Sequence, residues 1–177
     1  MKTRQITTTA LLLALCIASQ FLKNTSVYIT GPIINCILIV AVVFCGLFSG
    51  AILSIVTPIT SCLITGSPLM CAIPPIMPCI MVGNFVLVLM VWLFTRKESG
   101  SRNLLCGIFV GSMVKSAFMG LTISLLILPL LGPSTGLPAP ALAAARVNFS
   151  LTQLITALIG GALALVIVPP LKHTVEQ

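Results

Sequence analysis

The chain has 177 residues, 58% of them hydrophobic and 6% charged, with nine Lys or Arg against two acids and no Asp. A soluble domain carries about 45–50% apolar and about 25% charged residues, so this chain has too little polar surface to keep a globule in water. No charged residue occurs between Asn24 and Thr95, and the net charge of +7 gathers at the ends of apolar runs, which marks topology rather than a nucleic-acid footprint. An all-α integral membrane protein is predicted, with the lipid bilayer and not nucleic acid as its surroundings.

A span needs about 20 apolar residues, within a range of about 17–25, and shorter ones survive by local adjustment. The first candidate covers 6–22, with Lys2 and Arg4 before it and Lys23 after it. A signal peptide has a similar look, but no soluble domain follows, so a retained span is expected. The second and third spans, 33–48 and 50–65, are joined by an expected tight turn from Gly46 to Gly50. Pro68, Pro74, Pro75 and Pro78 argue against regular helix in the loop 66–78. The fourth span, 79–95, ends at the polar connector Arg96-Lys97-Glu98-Ser99-Gly100-Ser101-Arg102. The fifth covers 103–130 and runs into the Gly- and Pro-rich segment 132–140. The sixth covers 147–168 and is expected to stop before Pro169-Pro170. Residues 1–177 are thus expected to form a single six-helix membrane domain.

Six spans place both termini on one side. That side holds Lys2, Arg4, Arg96, Lys97, Arg102 and Lys172, against Lys23 and Arg146 opposite. The positive-inside rule makes the termini cytoplasmic and turns the loops at 66–78 and 131–140, with the segment 24–32, outward.

The chemistry that is missing narrows the function. There is no GxxxxGK[ST], HExxH, GxSxG or paired carboxylate, and His173 stands alone at a chain end. No enzyme, cofactor or metal site is expected. The seven cysteines form no CxxC pair and read as small buried hydrophobes, although Cys71 and Cys79 flank one loop and could pair. Both acids lie outside the spans, which disfavours a proton-driven antiporter and a permanently cationic substrate.

One charge does sit at membrane depth. Lys115 stands about twelve residues, or about 18 Å, inside the fifth span, too deep to snorkel to the surface. Such a charge costs at least about 2.5–3.5 kcal/mol unless it is paired or faces water, so a polar cavity is expected. Asn84, Asn148, Gln153 and Asn35, with Arg146 at the mouth of the sixth span, are the candidates to share it. Each amide alone is also a plausible cap or interhelical hydrogen bond. Together they suit a small solute bearing carbonyl or carboxylate oxygens. On the first span, Ala10, Ala14 and Ala18 form a small-residue stripe that admits close approach of another helix, internal or foreign. Gly107, Gly111 and the patch Ala157–Gly160–Gly161–Ala164 read as internal packing faces.

The basic start followed by Thr7-Thr8-Thr9-Ala10-Leu11-Leu12-Leu13-Ala14-Leu15, the alanine stripe, the size and the last helix Gln153–Ala164 resemble the S components of bacterial energy-coupling factor (ECF) vitamin transporters. The resemblance covers nearly the whole chain. It implies a substrate-binding subunit in the bacterial cell membrane that captures a vitamin or related micronutrient from outside. It also implies docking, through Ala10, Ala14 and Ala18, on a transmembrane coupling protein that carries two ATPases. Nickel and cobalt members have a His directly after the initiator Met, where this chain has Lys2. Pantothenate would suit Lys115 and Arg146, whereas thiamine is disfavoured by the missing acid; folate, riboflavin, biotin or a precursor stay open. The competing functions are a stand-alone secondary carrier for a small polar or anionic metabolite, and an assembly protein anchored through Lys115.

Overall fold

Helices occupy nearly every apolar run in the computed structural model, which describes residues 3–22, 26–97 and 100–176, with the side chains of 173–176 excepted. Lys2 and Lys23, used above for topology, and Glu98 lie outside the described residues, as do the side chains of His173 and Glu176. No strand occurs among the described residues. Helix α1 spans Thr3–Gln20 and packs on α2 (Val27–Cys45) and α3 (Leu47–Thr65). Its buried face carries Thr9, Leu12, Cys16, Ser19 and Gln20. Thr9 Oγ1 donates to Ser49 Oγ at 2.9 Å near the start of α3, and Gln20 Nε2 donates to the Thr57 carbonyl at 3.0 Å further along it. The two helices therefore run side by side.

Helix α2 is the central one. It begins at Val27 rather than near 33, because Ser26 caps it by accepting from the Tyr28 amide, and Pro32 is absorbed within it. The expected turn from Gly46 to Gly50 reduces to Gly46 alone, whose φ of 85° and ψ of 176° only glycine adopts readily. Leu47–Gly50 already belong to α3, and Gly50 instead lets Val88 of α5 (Ile76–Thr95) pack close.

The proline loop is also more helical than expected. A short helix α4 covers Pro68–Ala72, and α5 starts at Ile76 with Pro78 in its first turn. First-turn amides have no intrahelical acceptor, so proline there sacrifices nothing. Helix α6 (Ser101–Met119) continues through a π-helical segment, Gly120–Ile127, and α7 (Leu128–Leu131) into a 3-10 turn at Gly132–Thr135. The sixth run differs most from expectation. It breaks at Ser150 into α8 (Ala139–Phe149) and α9 (Leu151–Glu176), and Pro169 and Pro170 lie inside α9 rather than ending it. Ser124 Oγ of the π segment ties α8 down by donating to the Arg146 carbonyl at 2.9 Å.

Among the described residues, five helical runs are long and apolar enough to cross a membrane: Val27–Cys45, Leu47–Thr65, Ile76–Thr95, Ser101–Thr135 and Ala139–Lys172. This is the composition of an integral membrane protein. Helix α1, with Arg4 and Gln5 in its first turn and Gln20 at its end, is not one of the five.

The starts of α2, α5 and α9 and the end of α3 converge at one end of the bundle. Arg96, stacked over Trp92 at 5.3 Å, lies at the far end of α5. A large apolar cluster built on α1, α2, α3, α5, α6 and α9 fills the middle, and a smaller one joins Ile73, Ile76, Met119, Ile123, Leu128 and Phe149. All seven cysteines are free, so Cys71 and Cys79 do not pair. Gly107 and Gly111 lie against α5, while Ala157 and Ala164 are fully buried, as expected of internal packing faces.

Candidate functional site

Lys115 of α6 is 2% exposed, so its stem and ammonium are both inside the bundle. Nζ donates to Asn35 Oδ1 of α2 at 2.6 Å and to Asn84 Oδ1 of α5 at 2.9 Å. Both asparagines are themselves buried. Three helices are thereby held by one cation, through contacts as short as charge-assisted bonds usually are. Two side-chain amide oxygens, rather than an acid, solvate the ammonium. Asn35 is no cap, because α2 begins eight residues before it at Val27; Asn35 sits well inside the helix and Ser26 does the capping.

Two glycines make this approach possible. At Gly83, beside Asn84, a Cβ would meet Met119 Cγ and Sδ at 2.8 Å and Lys115 Cγ at 3.8 Å. At Gly160 of α9, a Cβ would lie 2.5 Å from the Pro32 carbonyl and 2.8 Å from Asn35 Cβ. Helix α9 thus rests directly on the α2 backbone where Asn35 projects.

The Lys115–Asn35–Asn84 cluster forms part of the wall of a cavity of about 440 Å³. That volume suits a small organic ligand. Asn148 at the end of α8 and Gln153 at the start of α9 also line it, so five of the expected residues meet there. Arg146 does not: its side chain is exposed and outside the lining, and its carbonyl serves Ser124 and Ser150. Thr30, Thr57, Ser61 and Ser67 complete the polar lining. They were missed by sequence reasoning, although Thr57 and Ser61 stand one turn apart on α3. Leu69, Met70, Ile80, Ala144, Ala145 and Phe149 provide apolar wall. No acidic residue belongs to the lining, and the described residues contain no cluster of metal-ligating side chains.

The alanine stripe lies elsewhere. Ala10, Ala14 and Ala18 are exposed, together with Leu11 and Leu15, on the face of α1 turned away from α2 and α3. They are not used for packing within this chain.

No curated protein and no solved structure matches the chain. A protein family does: residues 4–172 match the family described as ECF transporter, substrate-specific component. Such subunits bind substrate for transport and are not enzymes. The match extends over nearly all of the sequence, from the first helix to the last, and the chain belongs to that family.

Proposed function

We propose that this subunit captures a small vitamin-like solute from outside the cell in the cavity at Lys115, and passes it inward with the help of a coupling protein and two ATPases. The observation that carries this reading is the buried Lys115, held by Asn35 and Asn84 in the wall of a ligand-sized cavity. Asn148 and Gln153 complete the proposed contacts. Helix α1 is proposed as a sixth span, because it lies along α3 from Thr9 to Gln20. With six spans, Arg4, Arg96, Lys97, Arg102 and Lys172 fall on the side of the termini, which the positive-inside rule assigns to the cytoplasm of a bacterial cell membrane. The cavity then opens outward. The direct test is coexpression with a coupling protein and its ATPases, followed by co-purification and uptake measurement. Uptake by the chain alone would favour a stand-alone carrier.

Two expected results follow from this arrangement. A Cys introduced at the exposed Ser134, in a background lacking native Cys, should react with a membrane-impermeant maleimide added outside intact cells. Labelling only after the cells are opened would reverse the orientation. Ala14→Trp should leave ligand affinity unchanged and lower uptake strongly, because a large side chain on the exposed stripe holds a partner helix away. Lost binding with normal docking would relocate the stripe's role to the interior of the bundle.

A further inference from the structure

We infer that the cavity is built for an organic anion, a carboxylate carried on a compact apolar body. The inference rests on the reading of this cavity as the substrate site and names the class of substrate. An ammonium has three N–H donors and no acceptor, so the amide groups of Asn35 and Asn84 must both turn oxygen toward Lys115. That orientation turns both NH2 groups away from the lysine. Each then presents donors, and the ammonium keeps a third N–H beyond the two it has given to the asparagines. The polar end of the cavity is accordingly a cluster of donors fixed in place by its own internal bonds.

Charge points the same way. Amide oxygens solvate the ammonium but carry no net charge, and the only acids of the chain, Glu98 and Glu176, lie outside the spans. The lining contributes one positive charge and no negative one. A neutral guest leaves that charge uncompensated in an apolar surrounding, and a cationic guest adds repulsion at close range. A carboxylate restores neutrality and accepts from ammonium and amide donors together. One lysine with no arginine in the lining balances one negative charge rather than the two of a phosphate monoester. The remainder of the wall, from Leu69 and Ile80 to Ala144 and Phe149, asks for an apolar body attached to that head.

The test uses purified full-length protein in detergent and two acids, hexanoate and phenylacetate, each beside its primary amide and the amine of the same skeleton. Thermal unfolding is followed against ligand concentration. The acids should bind about tenfold or more tightly than the amides, and the amines should not bind. Asn84→Asp places a carboxylate against Lys115 with almost no change of shape, and should remove the response to both acids while leaving the melting temperature at or above that of the wild type. Lys115→Gln serves the same purpose should the aspartate variant fail to fold, since it keeps a hydrogen-bonding head without the charge. Amides or amines that bind as well as the acids would overturn the inference, as would an Asn84→Asp or Lys115→Gln protein that still discriminates in favour of acids. A lack of response to every probe, in protein that still assembles with its coupling protein and ATPases, would overturn it too. Assembly and uptake are scored separately, so failure here and failure of the transport reading are distinguishable.

Discussion

Replacing Lys115 with Met is expected to weaken ligand binding about ten- to hundredfold, while the protein stays folded. A charge-assisted hydrogen bond contributes about 1.5–3 kcal/mol, and that range converts to the stated loss of affinity. Methionine keeps most of the apolar stem that lies near Gly83, so little volume is lost. Stability should hold or rise, because a charge that is costly at membrane depth has been removed. One effect opposes this. Asn35 and Asn84 lose their shared donor, and the tie between α2, α5 and α6 goes with it. Both amides line the cavity, however, and water there can replace the lost partner. Isothermal titration of the variant, alongside its yield and melting temperature, separates the two roles. Unchanged affinity with poor expression would make Lys115 a scaffold residue and remove it from the site.

Much of this arrangement was legible in the sequence, for identifiable reasons. Long charge-free runs have one stable form in lipid, so the helices and the depth of Lys115 followed from hydropathy and rise per residue. Asn35 and Asn84 were recognisable as polar residues in apolar runs. Their convergence was not, because they meet Lys115 across 80 and 31 residues of chain and no local pattern encodes such a contact. Boundaries failed where a residue has two meanings. Pro78 and Pro68 read as helix breakers but occupy first turns, and Pro32 lies inside a helix whose neighbours hold it. The break at Ser150 carries no glycine or proline, and its polar residues read as first-turn polar groups of a span, so α8 was merged with the loop before it and with α9 after it. Arg146 was consequently assigned to the start of a span when it lies on the exposed side of α8. Likewise Gly46 and Gly50 looked equivalent as turn residues. Only Gly46 has the positive φ of a turn, while Gly50 serves contact between helices.

The second large effect is expected at Gly160, which lies just behind the cavity lining rather than in it. Glycine is required there by space alone, since its φ is not positive. A Cβ would meet the Pro32 carbonyl at 2.5 Å and the Cys36 amide nitrogen at 3.0 Å, and both are backbone atoms of α2. Backbone cannot rotate aside as a long side chain can, so α9 would have to move away. It is not free to do so, because Gly161 presses on Ile108 of α6 on the adjoining face. Gly160→Ala should therefore cost about 1–3 kcal/mol of stability, the range for overpacking a well-filled interior. Gly160→Leu should prevent the bundle from closing. The alanine variant should also bind ligand more weakly, since Asn35 Cβ lies 2.8 Å from the new methyl group and must shift relative to Lys115. Gly100→Ala is the matched control: no atom lies within 4 Å of its added Cβ and its φ of −86° suits any residue. Thermal unfolding and ligand titration of the Gly160 and Gly100 alanine variants make the comparison. If Gly160→Ala melted and bound like the wild type, α9 would not be what holds Asn35 against the lysine, and the donor cluster would owe its geometry to Lys115 alone.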